Sequence, residues 1–143
     1  MLDNFKKYVE INDNKNNKKH MIKAGYVDGF VIPIPKKNTT KYKKMAREAL
    51  EVWIKFGALD YKECKIDDLK PKFVTFTFPK MVKTKPGETV WFSFITFKSR
   101  THRDSVNKKV MAYFEKKYDK NNMPMLFDMK RFAYGGFKVE VGV

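Results

Sequence analysis

The spacing of apolar positions predicts that the fold begins with a strand and a strongly amphipathic helix. The strand covers Tyr26–Ile34 and ends at Pro33 and Pro35, because proline lacks the backbone N–H that strand pairing needs. A helix N-cap follows at Asn38 or at the next threonine. Apolar residues then recur at spacings of three and four, as on one face of a helix: Tyr42, Met45, Ala46, Ala49, Leu50, Trp53 and Phe56. Gly57 stands where a left-handed glycine ends a helix.

Further along, similar patterns predict more strands, a turn and a second helix. The strands are Ala58–Ile66, a short one at Lys72–Phe78, Thr89–Lys98 and Lys130–Val141. Pro86 and Gly87 are a turn signal. Thr101 and Asp104 stand at capping-box spacing and open the helix, whose apolar side carries Val106, Val110, Tyr113 and Phe114. Apart from the short strand, the order is β-α-β-β-α-β, which predicts an α+β, ferredoxin-like fold with an antiparallel sheet.

The strand Thr89–Lys98 also predicts that both faces of the sheet are covered. One of its faces carries Trp91, Ser93, Ile95 and Phe97, and the other carries Phe92, Phe94, Thr96 and Lys98. Both sets are largely apolar, whereas a sheet with one wet face would alternate apolar and polar residues. Because two helices can cover only one face, we expect a second copy of the chain to cover the other. The pattern therefore predicts an obligate homodimer.

Residues 1–25 differ from the rest and are interpreted as a polar extension in front of a single domain at 26–143. The segment INDNKNNKKH is rich in asparagine and lysine and has no core-forming period. Met21 follows this segment at once and is an alternative start. We therefore expect residues 1 to about 22 to be dispensable, either as a disordered extension or as an over-extended start.

The net positive charge raises the question of whether the protein binds polyanions such as RNA. The 143 residues carry 31 Lys and Arg against 16 Asp and Glu, a net charge of +15 that would favour RNA. Only four of the basic residues are Arg, and the lysines are spread along the chain, so a solvated lysine-rich surface is favoured over nucleic-acid binding. The strand TVWFSFITFK also lacks the glycine and basic opening of an RNA-recognition strand. Where lysine is the default cation, Arg47, Arg103 and Arg131 become candidates for fixed ion pairs or anion contacts.

Other classes of protein are disfavoured by the residues that the sequence lacks. One cysteine rules out a disulfide framework, two histidines disfavour a metal site, and no glycine-rich phosphate loop is found. We therefore expect neither a metal nor a cofactor. The sequence also has no run of apolar residues long enough for a membrane span and no apolar signal-peptide centre, so we expect a cytoplasmic protein without a membrane partner. Cys64 is expected to be a small buried hydrophobe.

The densest polar cluster is SRTHRD, Ser99–Asp104. In a functional interpretation, His102 is a general base or a hydrogen-bond donor to a ligand, and Arg103 holds an anion at the helix N-terminus. In a structural interpretation, these residues cap the helix and form a surface salt bridge. Consecutive side chains cannot all face one pocket, which favours the structural interpretation for at least one of them.

Two carboxylates in predicted strands suggest a ligand pocket. Asp28 and Glu63 each need a partner if they are buried, and a cation or hydroxyl from the last strand could supply it. The pocket would combine Asp28, Glu63, Arg131 and Tyr134 with aromatic walls from Trp53 and Trp91. Asp28 and His102 are then the catalytic candidates. The alternative is a structural ion pair that closes the barrel.

Several segments together resemble the YbaA-like family of small bacterial proteins of unknown function. They are YVDGFVIPIPKKN, GALDYKEC, KPGETV and FKSRTHRDSVNKKVM, and the resemblance extends over Tyr26–Val141. Lys80 and Tyr134 depart from the family pattern, which has Arg and Trp at these positions. The resemblance implies a dimeric α+β barrel, in which two ferredoxin-like halves share a sheet, and it implies no particular reaction.

These observations leave three hypotheses for function. The first is a homodimeric barrel that binds a small organic ligand, with an anionic aromatic one as a candidate, and that transforms it, if at all, without a cofactor. The second is a non-catalytic interaction or regulatory module whose dimer is the functional surface. The third and weakest is RNA binding driven by lysine.

Overall fold

A computed structural model describes residues 23–143 and has an α+β fold with a four-stranded antiparallel sheet and three helices. The predicted class is therefore confirmed. The elements are β1 (Tyr26–Pro35), α1 (Thr39–Lys55), β2 (Asp60–Lys65), α2 (Phe78–Met81), β3 (Glu88–Phe97), α3 (Arg100–Lys117) and β4 (Ala133–Lys138). Nearly all of the extension proposed for residues 1–25 lies outside the described residues.

The strand order in the sheet is β2-β3-β1-β4, and every neighbouring pair is antiparallel. Asp28 in β1 lies opposite Ile95 in β3 and opposite Gly136 in β4. On the other side of β3, Glu63 lies opposite Ser93. Because side chains alternate between the faces of a strand, Asp28, Ile95, Ser93 and Glu63 all point to the same face of the sheet.

Helices α1 and α3 pack on that face and close the core. One part of the core joins both helices to the sheet through Tyr26, Val52, Ala58, Ile95, Phe97, Val106 and Val110. A second part lies under the start of α1 and contains Ile32, Ile34, Tyr42, Ala46, Trp91 and Leu126. The apolar stripe predicted for α1 is thus the surface that the helix buries. Gly57 has φ +111° directly after α1, which suits the glycine that the sequence places there.

The opposite face of the sheet is only partly covered, and we call it the open face. Near one end, Val82 beside α2 packs on Val31 and Val90. Elsewhere the open face presents Phe92, which is 39% exposed, and Phe137, which is 61% exposed. Those two phenylalanines form an apolar surface that neither α1 nor α3 covers.

The prediction of a strand at Lys72–Phe78 is wrong. Within this segment Phe73 has φ +68°, a left-handed backbone conformation that interrupts an extended strand. Its aromatic and β-branched residues are mostly exposed, with Phe73 fully so and Phe76 72% exposed. β-propensity reflects packing on a pleated surface, and most of this segment is exposed; its last residue, Phe78, stacks on Phe92 of β3 from the start of α2.

The predicted start of α3 needs correction, whereas the predicted N-cap position of α1 at Asn38 is confirmed. The N-cap of α3 is Ser99, whose Oγ accepts a hydrogen bond from the backbone N–H of His102 at 3.1 Å, so the helix starts before the predicted capping box. The side chain of Asn38 makes no capping bond to α1. Its Nδ2 instead donates to the carbonyl of Leu126 at 2.9 Å, which ties the helix start to the segment before β4. Between residues 23 and 143, the helices are too short or too polar to span a membrane.

Candidate functional site

A pocket of about 420 Å³ lies between α1 and the edge strand β2, and we call it the Glu63 pocket. Its lining residues are Lys43, Ala46, Arg47, Leu50, Tyr61, Glu63, Lys65 and Trp91. The four residues from α1 are spaced three and four apart, so they share one helix face. Those from β2 occupy alternate positions and therefore point to one side of the strand. Trp91 adds a buried aromatic wall from β3.

Glu63 is the polar centre of this pocket. Tyr61 donates its hydroxyl hydrogen bond to Oε1 at 2.7 Å, and Tyr42 donates to Oε2 at 2.8 Å. Ser93, almost fully buried on β3, lies opposite in the register. Among residues 23–143, no lysine or arginine forms an ion pair with Glu63. A partly buried carboxylate is therefore surrounded by neutral hydroxyl groups.

Burial sets the proton affinities of these groups. Loss of hydration raises the pKa of Glu63 above its ordinary value, against the hydroxyl hydrogen bonds that lower it. Burial and the neighbouring Glu63 charge also raise the pKa of Tyr42 and of Tyr61. Both phenols consequently stay protonated near neutral pH and act as donors, while Glu63 takes up a proton more readily than an exposed glutamate does.

The rim of the pocket carries the opposite charge. Lys43, Arg47 and Lys65 are exposed side chains around its mouth, on α1 and on β2. Deeper in, Trp91 is 4% exposed, and its Nε1 is the one buried side-chain polar atom within the described part of the chain that has no hydrogen-bond partner. The pocket thus has a cationic mouth and an aromatic wall with an unused donor.

A second polar cluster joins β1, β4 and α3 around Asp28, which is 1% exposed. Its Oδ1 accepts from Nη1 of Arg103 at 2.8 Å and from the hydroxyl of Tyr134 at 2.9 Å. Arg103 also contacts the Tyr134 hydroxyl and donates through Nε to Asp104 at 2.7 Å. Its guanidinium lies 4.9 Å from the ring centroid of Tyr26. This network satisfies a buried carboxylate within the fold.

The structure therefore does not bring the predicted site residues together in one pocket. Glu63 and Trp91 share the Glu63 pocket, but Asp28 lies in the Arg103 cluster. Arg131 binds Glu88 through two hydrogen bonds of 2.6 Å and belongs to neither group. The indole N–H of Trp53 donates to Asn107 at 3.0 Å, which joins α1 to α3.

His102 makes contacts within the fold, and Cys64 is exposed outside both polar clusters. The Nδ1 atom of His102 accepts from the backbone N–H of Lys98 at 3.0 Å, and the ring packs edge-on against Phe97. Partial burial, with nearby lysines, lowers the pKa of His102, so its neutral form is favoured. The prediction of a buried Cys64 is wrong, because this residue is exposed on β2, opposite Phe92 on the open face.

Sequence reasoning missed the two tyrosines that bind Glu63. Tyr42 was assigned to the apolar stripe of α1, and its ring does pack on Trp91. Tyr61 stands two residues before Glu63, so alternation along the strand was a signal that both share one face. No cluster of three or more histidine, cysteine or acidic side chains suited to a metal is found among residues 23–143.

We predict that Arg103→Met destabilises the fold by about 3–5 kcal/mol, because it leaves the Asp28 carboxylate buried without its cation. Urea denaturation at fixed protein concentration measures this loss. The control Arg100→Met removes an exposed arginine from the same helix and is expected to change stability by no more than about 0.5 kcal/mol. Combining Arg103→Met with Asp28→Asn should restore part of the loss. An Arg103→Met protein as stable as the control would contradict the role of the ion pair.

We also predict a pH dependence specific to Glu63. A carboxyl whose pKa is raised by folding stabilises the protein fully below its unfolded pKa of about 4.3, and this contribution is lost as the pH rises through the folded pKa. Glu63→Gln cannot titrate. The stability of the wild type relative to this variant should therefore decrease from mildly acidic to neutral pH in parallel urea titrations. A difference that stays constant over this range would show that folding leaves the pKa unshifted.

Comparison with known proteins identifies the family. The model of a family described as a protein of unknown function, DUF1428, matches residues 25–129. The uncharacterised protein YbaA of Escherichia coli strain K12 is 40% identical over 113 residues, which cover 79% of this chain and 94% of that protein. YbaA of Shigella flexneri has the same identity and coverage. These matches confirm the resemblance seen in the sequence, and the chain belongs to the DUF1428 family and is similar to YbaA.

Proposed function

We propose that this protein binds a small organic anion in the Glu63 pocket and that it acts as a homodimer. The observation that carries the ligand proposal is the pairing of a partly buried, hydroxyl-bound carboxylate with a cationic rim in one concave site. A volume of about 420 Å³ falls within the range of small-molecule sites.

The rim determines the charge of the proposed ligand. Lys43, Arg47 and Lys65 offer only hydrogen-bond donors and positive charge, which suits a carboxylate or another organic anion. Arg47 is one of the few arginines in the chain, and its planar guanidinium can bind a carboxylate through two parallel bonds. This residue was a candidate for an anion contact from the sequence alone.

The walls determine the rest of the ligand. Trp91, Tyr61 and Leu50 supply aromatic and aliphatic surface beside the polar groups, which suits an apolar or aromatic body. If the protein also acts on its ligand, Glu63 is the group in this pocket that could exchange a proton with it, and no cofactor is required for such a step.

The dimer proposal rests on the open face. The strand order β2-β3-β1-β4 supports a ferredoxin-like arrangement, in which α1 and α3 cover only one side of the sheet. Five phenylalanines are exposed on the other side, in the segment before α2 or at the first residue of α2: Phe73, Phe76, Phe78, Phe92 and Phe137. A fully exposed phenylalanine has about 200 Å² of accessible surface, so the exposed fractions of these five residues correspond to roughly 600 Å². Leu69 and Val74 bring the total close to the about 800 Å² per partner of a stable interface.

One observation also favours the alternative of a non-catalytic interaction module. The segment 66–79 forms its own groove of about 300 Å³ with an apolar lining, and much of that lining is exposed. If this segment is not part of the dimer interface, it is a surface for another protein. The oligomer experiment below decides between the two uses.

We expect 3-phenylpropionate to bind the protein in isothermal titration calorimetry and its uncharged analogue 3-phenylpropanamide to bind much more weakly. Arg47→Met should weaken binding of the acid by about tenfold, since hydrogen bonds to charged groups contribute about 1.5–3 kcal/mol. Lys108→Met, which removes an exposed cation from α3, is the control and should leave binding unchanged. Equal binding of acid and amide, or no binding of either, would refute the proposed anion site.

We expect native mass spectrometry to give a dimer for the wild type and a monomer for Phe92→Glu, because a carboxylate would be buried in the interface. Since Phe92 also stacks on Phe78 within the chain, Phe137→Glu is a second test at a more exposed position. Met111→Glu, on the outer side of α3, is the control and should remain dimeric. A monomeric wild type would overturn the dimer and would leave the open face to a different partner.

A further inference from the structure

Apart from the buried Trp91 Nε1, the hydrogen-bonding groups of the Glu63 pocket are sorted by charge and type. At the inner end, Glu63 has about four acceptor positions, of which the hydroxyls of Tyr42, Tyr61 and Ser93 occupy three. Each tyrosine uses its hydrogen on Glu63, so its oxygen can only accept from a ligand. The outer end is the reverse, because Lys43, Arg47 and Lys65 can only donate.

This separation of acceptors from donors restricts the choice of ligand more than the positive charge of the rim alone does. A simple carboxylate would satisfy the donors at the rim, yet it would leave the acceptors around Glu63 without a partner. Among residues 23–143 no cation pairs with Glu63, and burial of an unpaired carboxylate is costly. A positive group on the ligand would remove that cost and would fill the acceptor position that the three hydroxyls leave open.

We infer that the ligand is an amino acid with an apolar side chain, whose carboxylate binds the rim cations and whose ammonium group binds Glu63. The inference rests on the proposed anion site and adds the second charge. The apolar side chain would lie against Trp91 and Leu50. In this arrangement every charge of the ligand lies next to a group of the opposite charge. The ligand ammonium supplies the positive charge that residues 23–143 do not provide at Glu63.

Three probes that differ only at one position test the inference. L-Phenylalanine, L-3-phenyllactate and 3-phenylpropionate have the same ring and carboxylate, and they carry an ammonium, a hydroxyl and a hydrogen at the α carbon. Titration calorimetry on the full chain at neutral pH should show that phenylalanine binds at least tenfold more tightly than 3-phenylpropionate. Phenyllactate should be closer to 3-phenylpropionate than to phenylalanine.

Variants connect the preference to Glu63. In Glu63→Gln the ratio of the phenylalanine affinity to the 3-phenylpropionate affinity should fall at least fivefold, because the variant removes the negative charge that pairs with the ammonium group. If circular dichroism shows that Glu63→Gln does not fold, Tyr61→Phe is used instead. That variant removes a hydroxyl from the ammonium site and should reduce the same ratio.

The outcomes separate the two proposals. If 3-phenylpropionate binds as tightly as phenylalanine, the amino-acid inference is refuted and the anion site stands. If phenyllactate binds as tightly as phenylalanine, the inner end of the pocket selects a neutral hydrogen-bond donor, and the inference is again refuted. If none of the probes binds, both proposals fail.

Discussion

The limited reach of two helices over one four-stranded sheet determines how this protein is organised. Helices α1 and α3 bury one face completely enough that Phe97 and Val110 are inaccessible to solvent. They cannot also cover the open face, on which, among residues 23–143, the short α2 and its neighbour Val82 pack. Among residues 23–143 the protein therefore has a closed side, which holds the polar clusters, and an apolar side that is largely exposed. Both proposals for function follow from this division.

On the closed side, two carboxylates are stabilised by different means. Asp28, the more buried, receives a guanidinium and a phenol, so its charge is balanced within the fold. Glu63 receives phenols, is paired with no cation from residues 23–143, and lies at the wall of a pocket. A balanced carboxylate is a structural element, whereas one that lacks a counter-charge next to empty space is a place where a ligand can contribute free energy. Of these two carboxylates, Glu63 is therefore the candidate for ligand binding.

Periodicity predicted most of the fold because the positions that it marks are those buried by α1, β1 and β3. It failed at Lys72–Phe78, where exposed aromatic and β-branched residues lie in a loop that leads into α2. For the site, positions in the predicted strands indicated Glu63 and Trp91, and the scarcity of arginine indicated Arg47. The same reasoning placed Glu63 in one pocket with Asp28 and Arg131. Strand register decides which carboxylate faces which cation, and register depends on long-range pairing that one sequence does not reveal.

The anchoring of β4 has a consequence for the dynamics of the sheet. An edge strand of six residues with two central glycines would ordinarily fray in local opening events. Here Arg131, just before the strand, is bound to Glu88 at the start of β3, and Tyr134 is bound to the carboxylate that also holds α3. The strand cannot separate without disrupting a buried ion-pair network. Its amide hydrogens facing β1 should therefore exchange only when α3 also detaches, so that the edge of the sheet and the last long helix behave as a single cooperative unit.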